Sequence, residues 1–118
     1  MLAHYPTASN DSALPGILIS SFNHQALMQL RELGCSWPLA PISSGIPLQL
    51  TAEIEQIMPW SWHFDNEYLD FDLVQDLRRR GIPSLVFTVN DIERAKFLRR
   101  QGVAGIFTDY PSKMAQID

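Results

Sequence analysis

The sequence is that of an α/β protein made of parallel βα repeats, and three observations support this. Short apolar runs recur five times, at intervals of roughly twenty residues, the spacing of a strand plus its crossover helix. Each interval carries apolar residues at helical spacing, bounded by residues that cap helices. The last two runs, Val86-Phe87-Thr88-Val89-Asn90-Asp91 and Gly105-Ile106-Phe107-Thr108-Asp109, end in polar groups. Parallel α/β enzymes present their chemistry at the carboxyl ends of strands in this way.

The first run, Ile17-Leu18-Ile19-Ser20-Ser21-Phe22, follows Pro15-Gly16 and reads as a strand buried on both faces. Asn23 caps a helix bearing Ala26, Leu27, Leu30 and Leu33, and Gly34 ends it in a left-handed turn. Leu39 to Ser43 is a weaker strand, demoted by Pro38 and Pro41 because a proline cannot donate to a ladder. Ser44-Gly45 turns the chain, and Thr51 is expected to cap a helix with Glu53 in its first turn and Ile54, Ile57 and Met58 on one stripe. Pro59 stops it.

Ser61 to Asp65 alternates in the manner of a third strand. Asp70 caps a helix with Leu73, Val74 and Leu77 on one face, closed by Arg78-Arg79-Arg80-Gly81. Those arginines sit where cations complement a helix carboxyl terminus, so they read as a solvated helix end and not as a phosphate clamp. Leu85 to Val89 is the fourth strand, and Asn90 with Glu93 matches a capping box by position. Gly105-Ile106-Phe107 is the fifth strand, and Pro111 suits the first turn of a short last helix.

The 118 residues suit one domain, 1–118, in which 1–15 reads as a polar, turn-rich loop remnant with neither the basic nor the apolar region of a secretory signal. A net charge of -4 gives no support to nucleic acid or an anionic membrane as partner, and no run is long enough to span a membrane. One cysteine, Cys35, excludes an internal disulfide and allows a reducing, cytoplasmic setting. Periodicity leaves two architectures open. One is a small doubly wound sheet; the other is five units of an eight-stranded barrel. The first lacks its usual functional marks, since the chain has no G-x-G-x-x-G, no P-loop and no paired carboxylates after the first strand.

Three segments in order carry a resemblance: Ile17-Leu18-Ile19-Ser20-Ser21-Phe22, then Phe87-Thr88-Val89-Asn90, then Gly102-Val103-x-Gly105-Ile106-x-Thr108-Asp109-x-Pro111. With His63 and Asp65 on the preceding strand, they resemble the C-terminal half of the glycerophosphodiester phosphodiesterase family, in its bacterial cytosolic form. The likeness runs from about Gly16 to the end of the chain. It implies a TIM-barrel fold of which this chain would hold the last five units, a partial barrel. It also implies a divalent metal, Mg or Ca, in the intact enzyme, and cleavage of glycerophosphodiesters to glycerol 3-phosphate and an alcohol. The family's His-Arg-Gly motif and Glu-x-Asp pair have no counterpart here. The resemblance therefore implies that the first three units are absent, that this chain alone binds no metal and that it is inactive.

What remains is a substrate-facing wall. The candidates are Ser21, Phe22, His63, Asp65, Phe87, Asn90 and Asp109, with Phe87 standing where most relatives carry tryptophan. Each also has an ordinary structural role open to it: a hydrogen-bonded strand histidine for His63, and loop or helix capping for Asp65, Asn90 and Asp109. His4 and His24 are assigned no role, and no base and acid stand at a spacing that would make Ser21 a nucleophile. A cut barrel exposes strand edges, so self-association is expected.

Overall fold

The structure, a computed structural model, describes residues 2–3 and 17–115. Its elements in chain order are β1 (Leu2–Ala3), β2 (Ile19–Ser21), α1 (His24–Glu32), β3 (Leu39–Ser43), α2 (Leu50–Ile57) and β4 (Trp62–Asp65). A single 3-10 turn (Asn66–Tyr68) leads to α3 (Phe71–Arg79), followed by β5 (Ser84–Phe87), α4 (Ile92–Arg100), β6 (Gly105–Thr108) and α5 (Pro111–Met114). The sheet order is β1-β6-β5-β4-β3-β2. All pairings from β2 to β6 are parallel, and β1 joins β6 antiparallel.

This order separates the two architectures. Strands β2 to β6 lie in the sheet in the order they occur in the chain, with no reversal. A doubly wound sheet reverses its strand order and carries helices on both faces. Here Trp62, Phe64 and Val86 share one core with Leu73, Val74 and Leu77 of α3, Ala95 and Leu98 of α4, Met114 of α5, and Leu50 and Ile54 of α2. Leu39 and Ile19 share a second core with Leu27 of α1 and Ile57 of α2. Register places Ile19, Leu39, Ser43, Phe64, Val86 and Ile106 on that same side, so every helix packs on one face. The result is an arc of a barrel wall.

The α3–β5 and α4–β6 segments follow one local plan offset by 21 residues (Asp70 to Asp91). Asp70 and Asp91 cap their helices by accepting from the amides of Leu73 and Arg94, at 3.0 and 2.9 Å. Leu77 and Leu98 point into the core, and Gly81 and Gly102 leave the helices at φ +80° and +98°. A side chain at either glycine would strain the left-handed turn that starts the next strand.

Several expectations change. Leu2–Ala3, read as part of a loop remnant, form a strand against Phe107 and Thr108; the rest of 1–15 lies outside the described residues. The first run is not buried on both faces. Among the described residues β2 is an edge strand, and Ile17 is 51% exposed beside it. β3, demoted for its prolines, lies inside the sheet with Pro41 fully buried. Its pairs with β4 are Ile42–His63 and Ser43–Phe64, which begin one residue past the proline, so the missing donor costs no pair there. Thr51 does not cap α2, which starts one residue earlier, at Leu50, after an uncapped Gln49. Asp91 and not Asn90 caps α4, because Asn90 is drawn to the neighbouring strand end.

Core truncation should be costly only on the packed face. Leu77→Ala and Leu98→Ala should each lose about 2–5 kcal/mol in urea denaturation, while Leu33→Ala, at a position 84% exposed, should change stability by less than about 0.5 kcal/mol.

Candidate functional site

The face without helices carries Ser20, Ala40, Ile42, His63, Asp65, Leu85, Phe87, Gly105 and Phe107, as register dictates. Side chains on this face converge. Phe22 follows β2 and Phe87 ends β5, three strands away, which is about 14 Å on a flat sheet. Their rings nevertheless meet edge to face with centroids 6.3 Å apart. His63 and Phe107, two strands apart, have ring centroids 5.1 Å apart. Such approaches belong to the concave side of a barrel wall.

At the carboxyl ends of β5 and β6 a polar clasp is built around Asn90. Its Oδ1 accepts from the Thr108 hydroxyl at 3.1 Å and from the Asp109 amide at 3.0 Å, and its Nδ2 donates to Asp109 Oδ2 at 3.1 Å. Thr108 Oγ1 in turn accepts from the Tyr110 amide, and Lys113 Nζ donates to the Asn90 carbonyl at 3.1 Å. Thr108 is buried and Asp109 exposed, so the clasp fixes the direction of the Asp109 carboxylate at the rim. Asn90, Asp109, Phe87 and Phe22 are thus held at the same end of the sheet.

Asp65 also lies at that end, where its Oδ1 accepts from the Glu67 amide at 2.9 Å. Ser21 falls on the helix-side register, and its Oγ accepts from the Asn23 amide at 2.9 Å. His63 sits deeper. It is 2% exposed, and its Nε2 is 3.0 Å from the hydroxyl of Ser61, toward the amino end of the strand. Burial lowers its pKa from 6.5 to about 4, so the ring is neutral at pH 7. The structure therefore gathers Phe22, Phe87, Asn90 and Asp109 at the rim, and it turns His63 and Ser21 to other partners.

Sequence reading missed His24. Its Nδ1 lies 2.6 Å from Glu53 Oε1, its Nε2 lies 2.9 Å from the Ile42 carbonyl, and its ring meets Trp62 edge to face. Trp62 Nε1 donates to Ser43 Oγ at 2.9 Å. This network ties the starts of α1 and α2 to the end of β3 and the start of β4. A helix-start histidine and a first-turn glutamate 29 residues apart give no local signal of each other.

A divalent metal fits poorly. Among the described residues no three of His, Cys, Asp and Glu converge on a point that could hold an ion. Asp65 and Asp109 are committed to a backbone amide and to Asn90.

The model of the glycerophosphoryl diester phosphodiesterase family matches residues 4–113. The chain belongs to this family. A phosphodiesterase of Oleispira antarctica, solved with its product sn-glycerol-3-phosphate, is 32% identical over 83% of this chain, with a TM-score of 0.75. A glycerophosphodiester phosphodiesterase of Thermotoga maritima is 22% identical over 86% of the chain (TM-score 0.67), and one from Galdieria sulphuraria is 18% identical over 88% (TM-score 0.74). The last two establish the fold alone. The chain covers 40%, 47% and 44% of these three structures, so it spans less than half of each. No curated protein matches it.

Two outcomes follow from the geometry. Asn90→Ala removes three side-chain hydrogen bonds and should cost about 1–3 kcal/mol, with faster amide exchange at Asp109 and Tyr110. His63 keeps its full stabilising contribution above pH 6.5, and loses it as pH falls toward about 4, because the unfolded chain takes up the proton first. Between pH 7.5 and 5 the chain should lose about 2 kcal/mol by this route, and His63→Phe should lose that much less.

Proposed function

We propose that the chain forms the C-terminal wall of a glycerophosphodiester phosphodiesterase barrel, its last five βα units. In this reading Phe22 and Phe87 supply an apolar side to the substrate pocket, and Asn90 positions Asp109 at the rim. The single observation that supports it is the convergence of Phe22 and Phe87 on the concave, helix-free face of a chain that belongs to this family. The intact enzyme would release glycerol 3-phosphate and an alcohol during glycerophospholipid breakdown. Cleavage of the diester needs negative charge stabilised on the phosphoryl oxygens and a proton delivered to the leaving alkoxide. A divalent metal supplies the first when bound in relatives of this family.

Among the described residues no three of His, Cys, Asp and Glu form a ligand set for that metal. His63 is buried, neutral and bonded to Ser61. The residues of this chain therefore bind and orient, and the 118-residue chain alone does not hydrolyse glycerophosphodiesters. A cytoplasmic setting suits its single thiol, Cys35. The test is release of glycerol 3-phosphate from glycerophosphocholine by purified chain with magnesium or calcium. No release above buffer is expected, and robust metal-dependent turnover would overturn the assignment.

A second reading, a non-catalytic half-barrel acting through association, is favoured by the surface beside β2, an edge strand among the described residues. Ile17, Phe22, Leu33, Trp37 and Met58 are all more than 45% exposed near β2 or the ends of the helices that flank it. Sedimentation at micromolar concentration should show dimers or larger species, and a well-behaved monomer would count against association.

A further inference from the structure

At the end of the sheet opposite Phe22, Phe87 and Asn90, the last turns of α3 and α4 flank an open groove at the surface. Arg78 and Arg99 line it from the two helices, and Pro83 and Val103 form part of its wall. Five of the nine lysines and arginines, Arg78, Arg79, Arg80, Arg99 and Arg100, cluster at this end of a chain whose net charge is -4. Asp76 engages Arg79 and Arg80, at 3.7 and 3.4 Å. Among the described residues no carboxylate pairs with Arg78, Arg99 or Arg100.

The cleft is also preformed. Gln75 Nε2 donates to the Gln101 carbonyl and ties α3 to the end of α4. Arg78 lies across Gly102, where a Cβ would come within 3.1 Å of Arg78 Nη1 and 3.0 Å of Gln75 Nε2. Gly102 thus makes room for the guanidinium as well as the turn. Two helix carboxyl ends contribute roughly half a negative charge each, which opposes an anion. Five arginines against Asp76 and those two ends still leave a surplus of about three positive charges.

We propose that this cleft is an anion site that takes a phosphomonoester group, held between the guanidinium forks of Arg78 and Arg99. Planar guanidinium groups match phosphate oxygens two at a time, and the Pro83–Val103 wall accommodates a short carbon substituent. The phosphomonoester can come from a soluble metabolite or from a lipid headgroup such as phosphatidic acid. The site is remote from the rim and does not rest on the hydrolase reading.

The test uses the full 118-residue chain. Inorganic phosphate is titrated at pH 7.5 and constant ionic strength, with amide shifts followed at Gly81, Gly102 and Val103. Vesicles of phosphatidylcholine, with and without phosphatidic acid, are co-sedimented in parallel. Saturable shifts in the millimolar range are expected, weakened about tenfold or more in R78Q/R99Q and changed by less than about twofold in K96Q, a lysine outside both the lining and the five-arginine cluster. R78K/R99K keeps the charge at the helix ends and should fold normally while still weakening binding, so a folding failure of R78Q/R99Q leaves the test intact. Phosphate binding with no preference for phosphatidic acid vesicles identifies a soluble source, and vesicle binding lost in R78K/R99K identifies a lipid source. Absence of both, or equal loss in R78Q/R99Q and K96Q, overturns the site.

Discussion

Everything in this chain depends on burial of one sheet face by all of the helices. Trp62, Phe64 and Val86 are fully or almost fully buried and face α2, α3 and α4. A right-handed crossover that returns to the same face must place each new strand beside the last. The sequential order β2 to β6 follows from that single constraint. The opposite face is left to curve inward, and the contacts Phe22–Phe87 and His63–Phe107 record the curvature. The rim at the carboxyl ends of the strands is therefore a product of packing on the far side of the sheet.

The same arrangement polarises the molecule. Asp65, Asp70 and Asp91 cap the 3-10 turn and two helices at the rim end, and Asp109 is held beside them by Asn90. Arginines terminate α3 and α4 at the other end. Each choice is locally favourable for a helix, with carboxylates at amino ends and cations at carboxyl ends. Summed over parallel helices on one face, local capping produces an acidic rim and a basic base.

The sequence was most legible where the instructions are local. Asp70, Gly34, Gly81 and the Leu73-Val74-Leu77 stripe each specify their own turn, and the structure has them where periodicity puts them. It was least legible where a partner strand decides. Pro41 looked unfit for a strand, yet β4 pairs only beyond it. Asn90 looked like a helix cap, and Asp91 caps instead because Thr108 and Asp109, eighteen and nineteen residues later, claim the Asn90 side chain. For His63 the sequence left a pocket role and that of a hydrogen-bonded strand histidine both open, and only the fold shows its Nε2 beside the Ser61 hydroxyl. Periodicity alone left barrel and doubly wound sheets open, because which face a helix covers is a long-range property.

The central claim is that the sheet is one-sided, and residue-resolved NOE measurements on the isotopically labelled chain test it most directly. The rings and methyls of Trp62, Phe64 and Val86 should show contacts to α2, α3 and α4, while Leu85, Phe87 and Phe107 should show none to α1 through α4 and Phe22 should contact Phe87. Contacts from helices to both sets of strand residues would mean a sheet covered on two sides, and would contradict the barrel arc.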